Sequence, residues 1–175
     1  MDTIEIKTLA KKAYDLGFAH EKKYKGCAQC TIAAVLETLG QLDENLFRAA
    51  SGLGGGGGST CTGSCGGLLG GILVFGHFTG RRREFFHDDT KNKRLTNTMT
   101  QELTRRFVET YNTVICNEIH LNLFDRTFDL TNDDDKEQFD YLGAHTTKCT
   151  SVVGLASQWT IEILFAHLDE SILLK

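Results

Sequence analysis

The stretch from Ala49 to Phe78 reads AASGLGGGGGSTCTGSCGGLLGGILVFGHF, and the fold prediction depends on it. It holds twelve of the chain's eighteen glycines, together with Cys61 and Cys65, and it ends in an apolar run. Glycine destabilises a helix but adopts conformations that other residues avoid. Such a block therefore predicts a backbone that turns sharply or lies close to something. The two cysteines at its exit indicate that this neighbour is a metal, a cluster or another sulfur.

A phosphate-binding loop is the first alternative for this tract, and the residues argue against it. The Walker A pattern places a lysine just before its Ser/Thr, and GLGGGGGST has none. Gly52, Gly54 and Gly57 match G-x-G-x-x-G in spacing. However, the preceding LFRAASG looks helical rather than strand-like, and no βαβ pattern surrounds it. Nucleotide binding is therefore disfavoured.

Length and composition predict a single soluble domain spanning residues 1–175. The chain is 41% hydrophobic and carries a net charge of −4, which is typical of ordinary globular proteins. The one basic cluster, at residues 81–83, is closely followed by acidic residues, so a nucleic-acid site is not expected. We recognise no secretory signal, and the apolar run around Leu68 to Phe78 is too short and glycine-rich to span a bilayer. A cytoplasmic protein with no membrane segment is expected.

The hydrophobic spacing, together with the complete absence of proline, predicts an all-α fold, an irregular helical bundle. Gly17 and Gly26 are interpreted as marking the exit of the first helix, and residues 76–97 as a long polar loop. A capping turn at residues 131–135 should start a late helix, because Asn and Asp cap well. Helices are predicted at Thr8–His20, Cys27–Gly40, Glu44–Ala50, Cys61–Phe75, around Leu103–Tyr111, from Cys116, and from His145 or Thr150 to the C-terminus.

The six cysteines are the main functional signal. In a chain without an export signal, cysteines indicate metal binding or redox chemistry before structural disulfides. Two pairs have metal-ligand spacing, Cys27-x2-Cys30 and Cys61-x3-Cys65, whereas Cys116 and Cys149 stand singly near predicted helix starts. A helix N-terminus stabilises a thiolate, the form that binds metal or attacks a disulfide.

Two histidines could extend such a site. The pairs Cys116-x3-His120 and His145-x3-Cys149 each share one helical face, and histidine is a common zinc ligand. Burial in a polar core or a place on the surface is the alternative for both histidines. A C-x-x-C-H haem attachment is excluded because Thr31 follows Cys30.

The order and context of four cysteines resemble the C_GCAxxG_C_C family of redox-active proteins. The segment GCAQC, around Cys27, resembles the family's first cysteine. The segment CGGLLG, from Cys65, matches C-G-A-x-x-G with Gly67 in place of the alanine. Cys116 follows in RRFVETYNTVICNEI, and Cys149 precedes the last helix. The resemblance covers residues 10–168, and its specificity lies in the joint order of these motifs.

The resemblance implies a small, all-helical, cytoplasmic redox protein. A similar domain of split-Soret cytochromes is associated with an iron–sulfur centre, so a [2Fe–2S] or [4Fe–4S] cluster is the implied cofactor. The implied ligands are Cys27, Cys65, Cys116 and Cys149. The implied glycine donors to the cluster sulfurs are Gly54, Gly55, Gly66 and Gly67.

Cys30 and Cys61 depart from the four-cysteine pattern. They could enlarge the cluster site, act as exchangeable ligands or form a disulfide. Two other functions therefore stay open: a metal-free thiol–disulfide oxidoreductase or redox sensor, for example through Cys27 and Cys30, and a structural zinc protein. A redox partner protein is expected, while enzymatic activity is left undecided. Trp159 and the apolar face of the last helix could serve a homodimer as well as the core.

Overall fold

The computed structural model describes residues 2–87 and 90–174. Helices dominate this part of the chain and no β-strand occurs in it, which confirms the all-α prediction. An isolated antiparallel bridge pairs Ser64 with Ile115. The helices are α1 (Thr3–Tyr24), α2 (Cys27–Thr38), α3 (Glu44–Ala49), α4 (Gly66–Thr79), α5 (Thr90–Tyr111), α6 (Cys116–Phe124), α7 (Asp133–Tyr141), α8 (Cys149–His167) and α9 (Glu170–Leu173), with 3-10 turns at Ser51–Leu53 and Arg83–Phe85 and a π-helical turn at Ala144–Lys148.

The first and last long helices form the most extensive contact of the bundle. Small residues permit it: a Cβ on Gly17 would lie 2.5 Å from Ser157 Oγ, and a Cβ on Gly154 would lie 2.9 Å from the Tyr14 ring. The prediction that Gly17 marks the exit of the first helix is therefore wrong. Gly17 lies inside α1, where it lets α8 approach closely. Gly26 does mark the break, because it precedes α2 with φ +100°.

Three neighbouring helices pack closely against the glycines of α4. A Cβ on Gly70 would lie 2.6 Å from the carbonyl oxygen of Ala28 in α2. A Cβ on Gly71 would lie 2.5 Å from Thr160 Oγ1 in α8 and 2.6 Å from Leu103 Cδ2 in α5. Because α4 packs against all three helices, larger residues at these two positions would push the bundle apart.

The apolar stripe predicted for the second helix is confirmed. Its members are all buried and pack into the main core. They are Ala28, Ile32, Val35, Leu36 and Leu39. Trp159 also joins this core, since its ring packs edge-on to Phe107 with 5.5 Å between centroids.

The glycine-rich helix does not begin at Cys61, so that prediction is wrong. Helix α4 starts at Gly66, with Cys65 at its N-cap. Cys61 lies four residues earlier in the loop, with φ +59°. The tract before it folds back on itself through bonds such as Cys61 N–H to the Gly55 oxygen at 2.8 Å. Cys61 and Cys65 therefore do not stack along one helix face.

The long loop predicted for residues 76–97 is wrong over both of its ends. Residues 76–79 close α4, and α5 already begins at Thr90. The buried side chains of α5, Met99, Leu103 and Phe107, recur at helical spacing, but its first turns are polar. Part of that prediction, residues Asp88 and Asp89, lies outside the described residues.

The predicted helix starts in the C-terminal half are confirmed, but the last long helix ends at His167 and does not run to the C-terminus as predicted. Cys116 begins α6 and Cys149 begins α8. Asn132 caps α7, because its side chain accepts a hydrogen bond from the Asp135 N–H at 3.1 Å. A second hydrophobic cluster forms here beside the main core. It contains Phe124, Phe128, Phe139 and Ala144.

Within the described residues, one helical segment is long and apolar enough, by length and composition, to cross a membrane. It runs over Ala144–His167 and has a mean hydropathy of 1.3. The bundle buries 56% of this window inside the protein, and core helices of globular proteins pass the same test.

Candidate metal and redox site

Four cysteines from four different helix starts line one cavity of about 240 Å³. Three begin helices α2, α6 and α8, and one caps α4. They are, in that order, Cys27, Cys116, Cys149 and Cys65. The free N–H groups and dipoles of helix N-termini stabilise negative charge on sulfur. The four cysteines singled out by the family pattern thus line one cavity.

A short backbone contact brings two of these cysteines side by side. Ser64 and Ile115 form the antiparallel bridge. On either side of it, Cys65 N–H donates to the Val114 oxygen at 2.8 Å, and Cys116 N–H donates to the Gly63 oxygen at 3.0 Å. The segment before α4 is therefore fastened to the segment before α6, and the starts of both helices face the same cavity.

The predicted glycines surround the sulfurs in two ways. Gly54 and Gly55 line the cavity, and the backbone N–H of Gly55 acts to lower the pKa of Cys27, against the larger effect of burial. A Cβ on Gly66 would lie well inside van der Waals contact with Cys27 Sγ. The backbone N–H groups of Gly67 and Leu68 act to lower the pKa of Cys65, against the larger effect of burial. The glycine tract therefore forms a wall of the cavity in which the backbone, rather than side chains, faces the cysteine sulfurs.

Gly56 was missed by the sequence reasoning. It adopts φ +69°, and a Cβ there would lie 2.8 Å from Cys61 Cα and 2.9 Å from Cys116 Cβ. Its carbonyl accepts the Gly63 N–H at 2.9 Å. Gly56 therefore sits between these two cysteines. No signal within an unbroken run of five glycines distinguishes this position from its neighbours.

Cys61, Cys116 and His120 form a compact buried group. One ligand atom of each lies within 4.8 Å of the other two. The Cys116-x3-His120 pairing is confirmed, because Cys116 Sγ and His120 Nε2 are 3.5 Å apart on α6. Nδ1 of His120 has no hydrogen-bond partner among the described residues, although only 3% of the residue is exposed. A group of two thiols and one imidazole suits zinc or iron.

Aromatic rings hold His120 in place. Its imidazole packs 4.7 Å from the Phe139 ring, measured between centroids, and 5.8 Å from the rings of Phe124 and Phe128. The second hydrophobic cluster therefore serves as the wall behind this histidine.

The cysteine thiols differ widely in pKa. A hydrogen bond from Cys116 outweighs burial and, with His120 nearby, lowers the pKa of Cys61 to about 5. The same bond, together with burial, raises the pKa of Cys116. Burial raises the pKa of Cys65 to about 11 and that of Cys27 and Cys149 well above the ordinary range. Neighbouring buried thiols oppose ionisation in this way, and a bound cation favours it.

Cys30 and His145 take positions that differ from a simple ligand set. Cys30 lies one turn after Cys27, yet its thiol donates to the Lys25 oxygen at 3.6 Å, and burial together with the neighbouring Glu21 raises its pKa. His145 and Cys149 both line the cavity, but His145 Nδ1 is hydrogen-bonded to Asp140. None of the six cysteines forms a disulfide in the described structure.

Glu21 is the second residue that sequence reasoning missed. It lines the cavity, is 3% exposed, and its Oε2 has no hydrogen-bond partner in residues 2–87 and 90–174. Burial raises its pKa to about 7. The sequence did carry a signal, because Ala13, Gly17 and Glu21 follow one another at four-residue spacing along the buried face of α1.

Comparison with known proteins gives one match. A family model described as "Putative redox-active protein (C_GCAxxG_C_C)" matches residues 26–163, a span that contains all six cysteines. The searches of curated proteins and of solved structures gave no match.

Proposed function

The chain belongs to the C_GCAxxG_C_C family of redox-active proteins, and on this basis we propose that it holds an iron–sulfur cluster used in electron transfer. The proposed ligands are the four cavity cysteines, Cys27, Cys65, Cys116 and Cys149. A cluster, when bound, supplies one-electron redox chemistry. We further propose that the partner of this chain is a one-electron carrier protein and that the chain acts in the cytoplasm.

The observation that carries this proposal is the convergence of these four thiols on one cavity. Four thiolates are the usual complement of a [2Fe–2S] or [4Fe–4S] cluster. The raised pKa values of the buried thiols fit the same conclusion, because they would ionise readily only beside a cation. The donor set and its surroundings therefore suit the proposed cofactor.

The surrounding backbone would tune such a site. The backbone N–H groups of Gly55, Gly67 and Leu68 act to lower the pKa of Cys27 and Cys65, and they could donate to the sulfurs of a bound cluster's ligands. Hydrogen bonds to ligand sulfurs stabilise the more negative, reduced state and so raise the reduction potential. The lack of side chains on the tract lets the backbone come close enough to make these bonds.

A mononuclear metal site is the second candidate. The ligand atoms of Cys61, Cys116 and His120 lie within 4.8 Å of one another. Zinc prefers this combination of sulfur and imidazole. Because Cys116 belongs to both sets, the two proposals compete for one thiolate.

The third candidate is metal-free thiol chemistry, through Cys61 and Cys116 rather than through Cys27 and Cys30. Cys61, whose pKa is lowered to about 5, has its Sγ within 4.8 Å of Cys116 Sγ. A low-pKa thiolate beside a second thiol is the arrangement of a dithiol that cycles to a disulfide.

Three variants separate these candidates. The protein is purified without oxygen, and iron, acid-labile sulfide and zinc are measured together with the visible spectrum. A cluster predicts iron and sulfide in the wild type, loss of both in Cys65→Ser, and retention in the control Cys30→Ser. Zinc that is lost in Cys61→Ser but kept in Cys65→Ser supports the mononuclear site. A metal-free, colourless wild type whose disulfide disappears in Cys61→Ser supports thiol chemistry and overturns the cluster.

A further inference from the structure

The cavity also has polar residues that ligand binding does not use. Besides the cysteines it is lined by Glu21, Lys25 and His145. The Glu21 side chain is only 4% exposed, and its Oε2 atom has no hydrogen-bond partner within the described chain. Burying a carboxyl group without satisfying its hydrogen-bonding capacity destabilises a protein. A role in the cavity would explain why this group is present.

A chain of contacts connects Glu21 with the surface. Oε1 of Glu21 lies 3.7 Å from His145 Nε2. The other ring nitrogen, Nδ1, is hydrogen-bonded to Asp140 Oδ1, and Asp140 Oδ2 accepts from Lys25 Nζ at 2.7 Å. Exposure of the side chains rises along this path, from 4% at Glu21 to 18% at His145 and 37% at Asp140. The path therefore leads from the cavity to solvent.

The three groups on this path have shifted pKa values. Burial raises the pKa of Glu21 to about 7 and lowers that of His145. Burial acts to raise the pKa of Asp140, but its bonds with Lys25 and His145 outweigh burial and lower it. A neutral imidazole can accept a proton at one nitrogen and release one from the other.

Several other titratable groups face Glu21, and they set its charge. Each packed element supplies some of them, and all are thiols except the lysine and the histidine. They are Lys25 after α1, Cys27 and Cys30 of α2, Cys65 before α4, His145 of the π-helical turn and Cys149 of α8. Any negative charge that develops on the cavity sulfurs raises the proton affinity of Glu21.

We propose that Asp140, His145 and Glu21 form a proton relay that carries a proton from solvent to the cysteine cavity when the site there is reduced. The proposal rests on the redox function proposed above. An electron that enters a buried site adds negative charge in a medium of low dielectric constant, and a proton taken up at Glu21 neutralises it.

The transfer conserves protons and electrons. One electron comes from the carrier protein and stays on the site. The step starts from the tautomer of His145 that carries its proton on Nε2, with Asp140 protonated by solvent and the 3.7 Å gap to Glu21 closed to hydrogen-bond distance. Nε2 gives its proton to Glu21 Oε1 while Nδ1 takes the proton of Asp140. The imidazole ends with its one proton on Nδ1, paired with the Asp140 carboxylate, and the carboxylate of Glu21 becomes a carboxylic acid.

Infrared difference spectroscopy on reduction tests the relay directly. In mildly alkaline buffer, the wild type should gain a carboxylic-acid C=O band that shifts in D2O, and Glu21→Gln should lack that band. Glu102→Gln is the matched control, because Glu102 also pairs with a histidine, His167, at 3.1 Å, and does not line the cavity. His145→Gln should keep the band but slow its appearance. A wild type without the band, or a band that survives in Glu21→Gln, overturns the relay.

Metal analysis of the same samples keeps the two proposals apart. If the protein contains no iron or sulfide but the Glu21 band still appears when a disulfide is reduced, the cluster proposal is overturned and the relay proposal stands. If a cluster is present, its midpoint potential should fall above neutral pH by about 59 mV for each tenfold decrease in proton concentration. That slope should be absent in Glu21→Gln and retained in Glu102→Gln. A wild-type cluster with a flat potential overturns the relay and leaves the cluster in place.

Discussion

Cys116 Sγ and His120 Nε2 lie 3.5 Å apart, one turn from each other on α6. Cys61 joins them from the loop that precedes α4. The loop reaches α6 through the N–H of Asn117, which donates to the Cys61 oxygen at 3.0 Å. A short helix and a glycine loop thus build a preformed ligand group without a contribution from α1 or α8.

Cys61 should ionise in the folded, metal-free protein far below the pH at which an ordinary thiol does. The bond from Cys116 and the neighbouring His120 lower its pKa to about 5. A thiolate absorbance in the ultraviolet should therefore appear near that pH, and unfolding in denaturant should move it up toward the ordinary value of 9.0. Cys61→Ser should remove this step, while Cys30→Ser should keep it. A titration that begins only near the ordinary value would contradict the assignment.

Gly66→Ala should damage the site, whereas Gly76→Ala in the same helix should not. A Cβ at Gly66 would collide with Cys27 Sγ, but one at Gly76 meets no atom within 4 Å. We expect Gly66→Ala to lose bound metal and thermal stability. Gly76→Ala should gain about 0.5–1 kcal/mol in the free energy of unfolding, because alanine favours a helix over glycine. Metal content and denaturant melts measure both effects, and equal behaviour of the two variants would contradict close packing at Cys27.

Glu21 should make the metal-free protein less stable as pH rises. Its folded pKa is about 7 and its ordinary value is 4.5, so the folded state binds this proton more tightly than the unfolded chain. The free energy of unfolding should therefore fall as pH rises from about 4.5 to about 7, by roughly 2–3 kcal/mol from this group. Glu21→Gln should flatten that part of the urea-unfolding profile. Glu102→Gln, the control, should leave it unchanged.

Gly56→Ala and Gly57→Ala should differ in their effect on the site. Both positions have positive φ, at +69° and +88°, so each alanine should cost about 1 kcal/mol of backbone strain. Only the Cβ at Gly56 would press on Cys61 and Cys116, because nothing lies within 4 Å of one at Gly57. Metal content should therefore fall in Gly56→Ala alone. Loss of metal in both variants would indicate that the loop conformation, and not the close approach, is what matters.

The sequence predicts those parts of the fold where apolar periodicity is unbroken. The buried stripe of α2 and the starts of α6 and α8 are confirmed, because the hydrophobic spacing is regular there. The first turns of α5 were misread as loop, because their polar residues hide the helical pattern that becomes clear only from Met99.

The sequence identifies cysteines that line the cavity, but it does not predict how they are arranged. The order of motifs identified Cys27, Cys65, Cys116 and Cys149, all of which line the cavity. The position of Cys61 could not be derived, because a run of glycines restricts the backbone so little that its path depends on tertiary contacts. Glu21 was overlooked because a glutamate on an otherwise polar helix resembles a surface residue until its four-residue spacing is noticed.

The contact between α1 and α8 has a consequence for the biosynthesis of the protein. Cys149 follows Cys27 by 122 positions (149 minus 27), so the ribosome makes most of the chain between these two sulfurs. Until α8 emerges and docks on α1, the cavity lacks one wall and its fourth thiol, and α1 exposes the face that carries Glu21. Contacts so distant in sequence form late in folding. Any cofactor that needs all four thiols must therefore be loaded after translation of α8, into a cavity that closes around it.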